Sequence, residues 1–352
     1  MSAVLGGVLM PHAPQFFTLP PTEDKATVER VRGLAQENGR RLAALKPDVW
    51  IVIANDHANQ FLLHCTPAFA LHVGPEARGH FAGRSFRYDV ASDLSLHLVE
   101  HLQAEGFDPA FTSTAEIDYA FGIPLTFLGV GGPVLPLYVN AYVPPQPAME
   151  RCYGLGQALG RGLAATGTRA VVVASGGMSH FPGTDRYSQP ELEFDRAVLA
   201  RLEAGNLKSL AGYDAATLDR HGNIELRCWA VAAGLLGERK PDVVSLDPSW
   251  HHIYATLGFL TPPAPANVAP HYPAVRADRV RLTAALHALA NDAVARGRYL
   301  ADAAGFAAAA EVSPAETQAL AALDQTALVA LGVHPLVPFL ARLQLDRQRG
   351  GT

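Results

Sequence analysis

The stretch Trp50–Asn59, WIVIANDHAN, is the clearest indication of the fold class in this chain. It opens with five apolar residues, three of them β-branched, which is typical of a strand buried on both faces. The run then ends in Asn55, Asp56 and His57. Because open α/β sheets carry their chemistry at the carboxyl ends of parallel strands, the stretch predicts functional side chains at a sheet edge.

Two other stretches repeat this pattern. Val4–Met10 is apolar and leads to His12, and Ala170–Ala174 is apolar and leads through a glycine-containing segment to His180. If the three strands are parallel neighbours, His12, His57 and His180 converge on one edge. We therefore predict an α/β fold with a mixed, largely buried central sheet flanked by helices.

Weaker patterns predict the other elements that precede a proline-rich segment. Helical spacing is present in residues 26–45, 92–105, 149–165, 190–204, 206–212 and 223–236. Further strands are predicted at residues 134–139, 243–246 and 253–260. Residues 61–86 contain prolines and glycines and predict an irregular excursion over the sheet edge. Residues 115–122 predict a turn-rich segment that leads into residues 123–128.

The composition of the chain changes near residue 265. Residues 261–273, TPPAPANVAPHYP, contain five prolines and are typical of a linker. Residues 276–345 are rich in Ala and Leu and predict about four helices. We therefore predict a catalytic α/β domain in residues 1–262, a proline-rich linker in residues 263–273 and a small all-α domain in residues 274–352.

Charge and cysteine content argue against several classes of protein. The net charge of -5 over 352 residues gives no reason to expect binding to nucleic acid or to an anionic membrane. Three dispersed cysteines without a C-x-x-C motif predict free thiols in a reducing compartment. No signal peptide is recognisable, and no apolar stretch reaches the roughly 18–20 residues that span a bilayer. These features predict a cytoplasmic protein.

Five polar residues at predicted element ends form the candidate site: His12, Asp56, His57, His180 and Glu225. Two His and one carboxylate leave three metal positions open, which suits non-haem Fe(II) and its reactions with dioxygen. The same donors occur in zinc hydrolases, which are the alternative, and a non-catalytic interaction protein is a third reading. Glutamate in a first helical turn is also favoured by the helix dipole, so at this point the ligand role of Glu225 stays open.

The three histidines have different surroundings. His12 lies in the motif Pro-His-Ala-Pro, whose prolines restrict the backbone on both sides. Asn55 and Asp56 precede His57 and are predicted to orient its imidazole from the second shell of a metal site. His180 follows two glycines, which allow a ligand to approach closely, and this position suits a substrate-facing acid/base.

Several motifs resemble class III extradiol ring-cleavage dioxygenases of the protocatechuate 4,5-dioxygenase type. They are MPHAP, ANDHAN, RAVVVASGGMSH, GNIELRCWAVAAG and WHHIYATLGFL, together with residues 133–159. The motifs occur in the family's order over residues 1–262. Residues 313–343 resemble the small helical chain of the same enzymes, here fused behind the catalytic domain.

The resemblance implies Fe(2+) bound by His12, His57 and Glu225, with His180 as the acid/base. The implied substrates are an aromatic diol, or a heteroaromatic analogue, and O2, whose atoms both enter the product. The resemblance departs at Asp118-Tyr119-Ala120, because Tyr119 stands where many members have a proton-transferring His. A phenol can still donate a hydrogen bond, so Tyr119 is a candidate catalytic residue; the alternative is that it only shapes the pocket. With a reference pKa of about 10, against about 6.5 for histidine, a tyrosine is a poor proton shuttle at neutral pH. Either His180 carries both proton steps, the substrate needs less help, or the reaction is not standard catechol cleavage.

Substrate identity is only partly constrained by the sequence. The candidates are protocatechuate, gallate or its methyl ether, other substituted catechols, and a hydroxypyridone or aminophenol with the same vicinal donor pair. The predicted contacts are Tyr119, Tyr254 and Thr256. No arginine stands out to pair with a substrate carboxylate, which favours a substrate with little negative charge. His251 and His252 are predicted to be rim residues, and the protein is expected to be a homodimer.

Overall fold

The computed structural model describes residues 3–57, 59–61, 64–114, 116–263 and 272–350. The chain divides into two compact units, residues 1–265 and residues 266–352. The predicted linker lies mainly outside the described residues, since residues 264–271 are not among them. No described helix is long and apolar enough to cross a membrane.

The first unit alternates strands and helices. Its strands are β1 (Val4–Met10), β2 (Val49–Ala54), β3 (Phe69–His72), β4 (Glu76–Phe81), β5 (Arg84–Asp89), β6 (Ala110–Thr112), β7 (Val134–Val139), β8 (Ala170–Ser175), β9 (Val243–Pro248) and β10 (Ile253–Phe259). Its helices are α1 (Gln15–Thr18), α2 (Lys25–Ala44), α3 (Ser92–Ala104), α4 (Tyr119–Leu128), α5 (Met149–Thr166), α6 (Leu192–Glu203), α7 (Ala215–Arg220) and α8 (Leu226–Leu236), with a 3₁₀ segment at Leu207–Gly212.

Eight strands form one mixed sheet in the order β6-β3-β7-β2-β8-β1-β10-β9. The central strands β7, β2, β8 and β1 are parallel, and β10, β9 and β3 add antiparallel pairs at the sides. The three strands that lead to histidine are therefore adjacent and parallel. This confirms the predicted fold class and brings the ends of β1, β2 and β8 to one edge.

Burial explains why these runs become central strands. Every residue of β2, β7, β8 and β10 is buried, as a continuous apolar run in a covered sheet requires. One apolar cluster includes residues of α3, α5 and α8, and a second includes residues of α2 and α4. Alternate strand residues enter the two clusters, as Ile51 and Val52 illustrate, so helices cover both faces of the sheet.

The prediction for residues 61–86 was wrong. This segment contains β3 and most of a separate two-stranded hairpin, β4–β5. The two residues at the hairpin turn, Ala82 and Gly83, both have positive φ angles of 49° and 75°, as a tight turn between twisted strands requires. The hairpin strands are short and mostly polar, with Glu76 paired to Arg78 and Arg87, so the apolar pattern did not indicate them.

Two predicted helix boundaries also need correction. Residues 119–122 were predicted to belong to a turn-rich segment, but they form the start of α4, because the Asp118 carboxylate accepts the Ala120 N–H and caps this helix. Helix α8 begins at Leu226 rather than Asn223, and Glu225 occupies its N-cap position without making a side-chain cap. Glu225 therefore lies before the helix and not in its first turn.

The second unit is all helical in its described part. Its elements are a 3₁₀ turn at Ala277–Arg279 and the helices α9 (Val280–Asn291), α10 (Ala293–Ala301), α11 (Ala303–Ala308), α12 (Pro314–Ala322), α13 (Gln325–Ala330) and α14 (Leu336–Gly350). Leucines and alanines from these helices form an apolar core within the unit. The Ala- and Leu-rich composition therefore predicted the structural class, although the helices are more numerous and shorter than expected.

Candidate metal and active site

Three of the predicted side chains meet at the carboxyl edge of the central sheet. His12 follows β1, His57 follows β2, and Glu225 precedes α8, which packs on the sheet. His12 Nε2 lies 3.2 Å from Glu225 Oε1, and His57 Nε2 lies 3.6 Å from the same oxygen. One ligand atom from each residue lies within 4.8 Å of the other two. We call His12, His57 and Glu225 the ligand cluster.

Hydrogen bonding sets the tautomer of His12. Ser175 Oγ donates to the Ala120 carbonyl, which can only accept. The hydroxyl has a single proton, so at its 2.8 Å contact with His12 it accepts from Nδ1–H. The lone pair of neutral His12 therefore sits on Nε2, the atom that faces Glu225.

Asp118 does the same for His57. His57 Nδ1 lies 3.0 Å from Asp118 Oδ1, and the other Asp118 oxygen accepts the His57 backbone N–H. Burial alone would lower the pKa of His57, but the hydrogen bonds and charges of Asp118 and Glu225 outweigh it and raise the pKa to about 9. A carboxylate behind the imidazole is the usual support of a metal-ligating histidine.

The two residues predicted to orient His57 behave differently. Asn55 is fully buried, and its Nδ2 lies 3.2 Å from His57 Nε2. Asp56 instead accepts backbone N–H groups from residues 59–61, and it makes no hydrogen bond to His57 in the described part of the chain. The orienting function predicted for Asp56 is therefore performed by Asp118, because a carboxylate at the start of the turn after β2 is captured by that turn.

Glu225 is fully buried and stays ionised. Its Oε2 accepts the Gly177 backbone N–H, while Oε1 faces the histidines. Burial would raise the pKa of Glu225, but His12 and His180 oppose this and hold it well below its usual range. The ligand cluster thus contains one carboxylate and two imidazoles, and these are donor types that bind a divalent transition metal once both rings are deprotonated.

His180 lies beside this cluster but is connected to it through Tyr142. His180 Nδ1–H donates to the Met178 carbonyl at 2.9 Å, which leaves Nε2 of the neutral ring as an acceptor. The Tyr142 hydroxyl lies 3.0 Å from both His180 Nε2 and Glu225 Oε1. Burial lowers the pKa of His180, so its neutral, proton-accepting form is favoured.

Sequence reasoning missed Tyr142. It follows β7, the fourth parallel strand of the sheet centre, by three residues. The strand itself was predicted, and a search for polar side chains just after it would have reached Tyr142. Burial and the neighbouring Glu225 raise the pKa of this tyrosine, so its hydroxyl keeps its proton.

Tyr119 packs on a ligand-cluster residue. Its ring stacks on His57 with centroids 4.4 Å apart and planes at 15°. Burial and the carboxylates of Asp118 and Glu225 raise its pKa further above the usual range. Tyr119 therefore remains an uncharged phenol that fixes the plane of His57.

A small cavity adjoins the ligand cluster. Its lining includes the predicted residues His12, His57, Tyr119 and His180. His251 and His252, predicted at the rim, also line it and are buried. None of the described lining residues is Lys or Arg.

Two predicted substrate contacts do not line this cavity. Tyr254 and Thr256 lie in β10, whose residues are all buried. The Tyr254 hydroxyl donates to Glu23 Oε1 at 3.1 Å instead. The strand therefore places both residues within the packed interior.

The family model described as the catalytic LigB subunit of aromatic ring-opening dioxygenase matches residues 6–259. A protein from Cupriavidus necator named 2,3-dihydroxyphenylpropionate/2,3-dihydroxicinnamic acid 1,2-dioxygenase is 30% identical over 292 residues, which cover 68% of this chain and 92% of that protein. Its namesake from Paraburkholderia xenovorans is 28% identical over 286 residues, or 66% of this chain and 89% of that protein.

A solved structure of an uncharacterized protein from Escherichia coli K12 is also similar, at 16% identity with a TM-score of 0.47. It covers 72% of this chain and 100% of its own. The family match confirms the resemblance to extradiol ring-cleavage dioxygenases that the sequence motifs indicated, and it favours that reading over a zinc hydrolase.

Proposed function

We propose the metal, the residue functions and the substrate class of this chain from its family. The chain belongs to the family of the catalytic LigB subunit of aromatic ring-opening dioxygenase, and it is an extradiol ring-cleaving dioxygenase. The proposed metal is Fe(II), held by His12, His57 and Glu225. The observation that carries this proposal is the ligand cluster itself. Its facing atoms, His12 Nε2, His57 Nε2 and Glu225 Oε1, lie within 4.8 Å of one another.

The donor set fits iron on chemical grounds. Two neutral imidazoles and a carboxylate leave open positions for other ligands, as in non-haem Fe(II) oxygenases. Bound Fe(II) would supply a place where the vicinal oxygens of the substrate and dioxygen meet. Ser175 and Asp118 would hold the two imidazoles in the tautomers that this binding needs.

His180 is the proposed acid/base. Its Nε2 accepts a proton from a substrate hydroxyl, and the neutral ring favoured by burial is the form that can do so. The imidazolium then donates to the Tyr142 oxygen, whose own hydrogen is donated to Glu225 Oε1. Tyr142 thereby supports the charged form of His180 until the proton is returned. This leaves Tyr119 as a packing residue of the metal site and gives His180 both proton steps.

The proposed substrate is a catechol, or a heteroaromatic analogue with the same vicinal donor pair, whose ring substituents carry little negative charge. The support is the absence of Lys and Arg among the described residues that line the cavity. Two relatives are named for 2,3-dihydroxyphenylpropionate, which has a carboxylate. We expect this chain to prefer diols without a carboxylate.

Anaerobic reconstitution with Fe(II), followed by oxygen uptake with a panel of catechols and product mass, tests the proposal. A product that contains both atoms of labelled O2 is expected. His180→Ala should lower kcat by about 10²–10⁴-fold while iron content is kept. Full turnover by His180→Ala would contradict the acid/base role, and normal iron content in His57→Ala or Glu225→Ala would contradict the ligand set.

A further inference from the structure

Three of the polar residues that line the same cavity contact one another and have no part in the proposed chemistry. They are Gln15, Tyr187 and His251, and we call them the polar wall. Gln15 belongs to α1, Tyr187 to the segment between β8 and α6, and His251 to the turn between β9 and β10. Distant parts of the chain thus contribute polar side chains to one surface of the cavity.

The polar wall has unused hydrogen-bonding groups. Gln15 Nε2 donates to the Tyr187 hydroxyl oxygen at 3.2 Å. Gln15 Oε1 is buried and has no hydrogen-bond partner within the described residues. The hydroxyl proton of Tyr187 likewise has no acceptor in the described part of the chain. A buried polar atom without a partner costs free energy, and a bound ligand that supplies the partner recovers it.

A buried carboxylate orients His251. His251 Nε2 lies 3.0 Å from Glu23 Oε2, and Tyr254 and Ser249 donate to the other Glu23 oxygen at 3.1 and 3.3 Å. The ionised carboxylate can only accept, so His251 holds its hydrogen on Nε2. In the neutral ring, Nδ1 is then an acceptor, and it has no hydrogen bond within the described residues. Stacking on Tyr187, with centroids 5.3 Å apart, holds the ring in place.

The free hydrogen-bond donors and acceptors of the polar wall favour one kind of substituent on a bound ligand. The polar wall offers two acceptors, Gln15 Oε1 and His251 Nδ1, and one donor, the Tyr187 hydroxyl. The oxygens of a ring carboxylate are acceptors and would face the two acceptors of the polar wall without forming hydrogen bonds to them. The carboxylate would also place a second negative charge near Glu23. A hydroxyl or a carboxamide can donate to the acceptors and also accept from Tyr187.

We propose that Gln15, Tyr187 and His251 bind an uncharged N–H- or O–H-bearing substituent on the ring of the substrate and discriminate against a ring carboxylate. The proposal rests on the proposed ring-cleaving function, whose substrate class it narrows. Glu23 acts as a positioning residue behind His251.

The test compares isosteric substrates in the iron-loaded full-length protein. Oxygen uptake gives kcat/KM for 3,4-dihydroxybenzamide, protocatechuate and unsubstituted catechol. The benzamide is expected to exceed protocatechuate by at least about tenfold, because sites built to bind an N–H or O–H group reject partners that leave them unpaired. Tyr187→Phe and Gln15→Leu are each expected to reduce the benzamide-to-catechol ratio of kcat/KM by about tenfold.

A matched control is Gln103→Leu, since Gln103 is exposed on α3 and does not line the cavity. It should leave that ratio unchanged. The inference would be overturned by a higher kcat/KM for protocatechuate than for the benzamide. It would also be overturned if both Tyr187→Phe and Gln15→Leu kept the wild-type benzamide-to-catechol ratio. In either case, turnover of the diols would still support the proposed function. No turnover with any of the three diols would overturn the proposed function and this inference with it.

Discussion

At the scale of single residues, His57 can hold either a proton or a metal ion. Asp118 and Glu225 raise its pKa to about 9 despite its burial, so the metal-free site binds a proton at neutral pH. A histidine binds a metal ion through its neutral imidazole, and metal binding therefore has to release this proton. The carboxylates of Asp118 and Glu225 favour a metal cation in this site, and they also favour the proton on His57 that competes with it.

This competition predicts a pH dependence of iron binding. Below pH 9 the apparent affinity should fall as pH falls, by about tenfold per unit for one displaced proton, and it should level off above pH 9. Anaerobic Fe(II) titrations between pH 6.5 and 9.5, in buffers of different ionisation enthalpy, measure both affinity and proton release. An affinity that is constant across this range would contradict the competition.

The variant Asp118→Asn distinguishes the two functions of Asp118, which are to orient the His57 imidazole and to cap α4. The substitution removes the negative charge behind His57, and loss of such a partner typically weakens metal binding or activity by about 10–100-fold. Asparagine is still a good N-cap, so α4 and the overall stability should be kept. Iron content and a thermal melt together check this prediction. An equal loss of stability and iron would instead indicate that Asp118 serves mainly the fold.

At the scale of elements, the segment after β8 depends on Gly177. A Cβ atom there would lie 1.8 Å from His252 Nε2, and His252 stacks on His180 with centroids 4.2 Å apart. The Gly177 N–H also binds Glu225. Gly177→Ala should therefore displace the side chains of His252 and His180 and reduce kcat/KM by at least about tenfold.

A second glycine variant provides the control for this prediction. Gly160 lies in α5 with open space around its Cβ position, so Gly160→Ala should keep activity and raise stability by about 0.5–1 kcal/mol. Oxygen uptake and denaturant melts of the two variants give the comparison. Wild-type activity in Gly177→Ala would show that the segment can shift without moving His180.

The same elements show what sequence could and could not predict. His12, His57 and His180 were predictable because each follows an apolar run, and parallel strands bring their ends together. Asp118 and Tyr142 belong to segments where the sequence pattern marks only a turn or a strand end. Their functions depend on which side chain lies across from them, 61 residues away for Asp118 and His57. Such pairings are set by tertiary packing, which local patterns do not encode.

At the scale of the whole molecule, each of the two units has its own apolar core. The first unit has an apolar cluster on each face of its sheet, and the second unit has its own helical core. The change from β-branched runs to an Ala- and Leu-rich composition predicted this division. The ligand cluster belongs entirely to the first unit.

Metal binding should therefore stabilise the two units unequally. A ligand at 100 times its dissociation constant adds about 2.7 kcal/mol to the unit that binds it. All three tryptophans, Trp50, Trp229 and Trp250, lie in residues 1–265, so tryptophan fluorescence reports on the first unit alone. Fe(II) should raise the melting temperature seen by fluorescence and leave a second, helical transition seen by circular dichroism unmoved. In His57→Ala the fluorescence transition should no longer respond to metal. If fluorescence and circular dichroism shift together in the wild type, the two units unfold cooperatively and the stabilisation is shared between them.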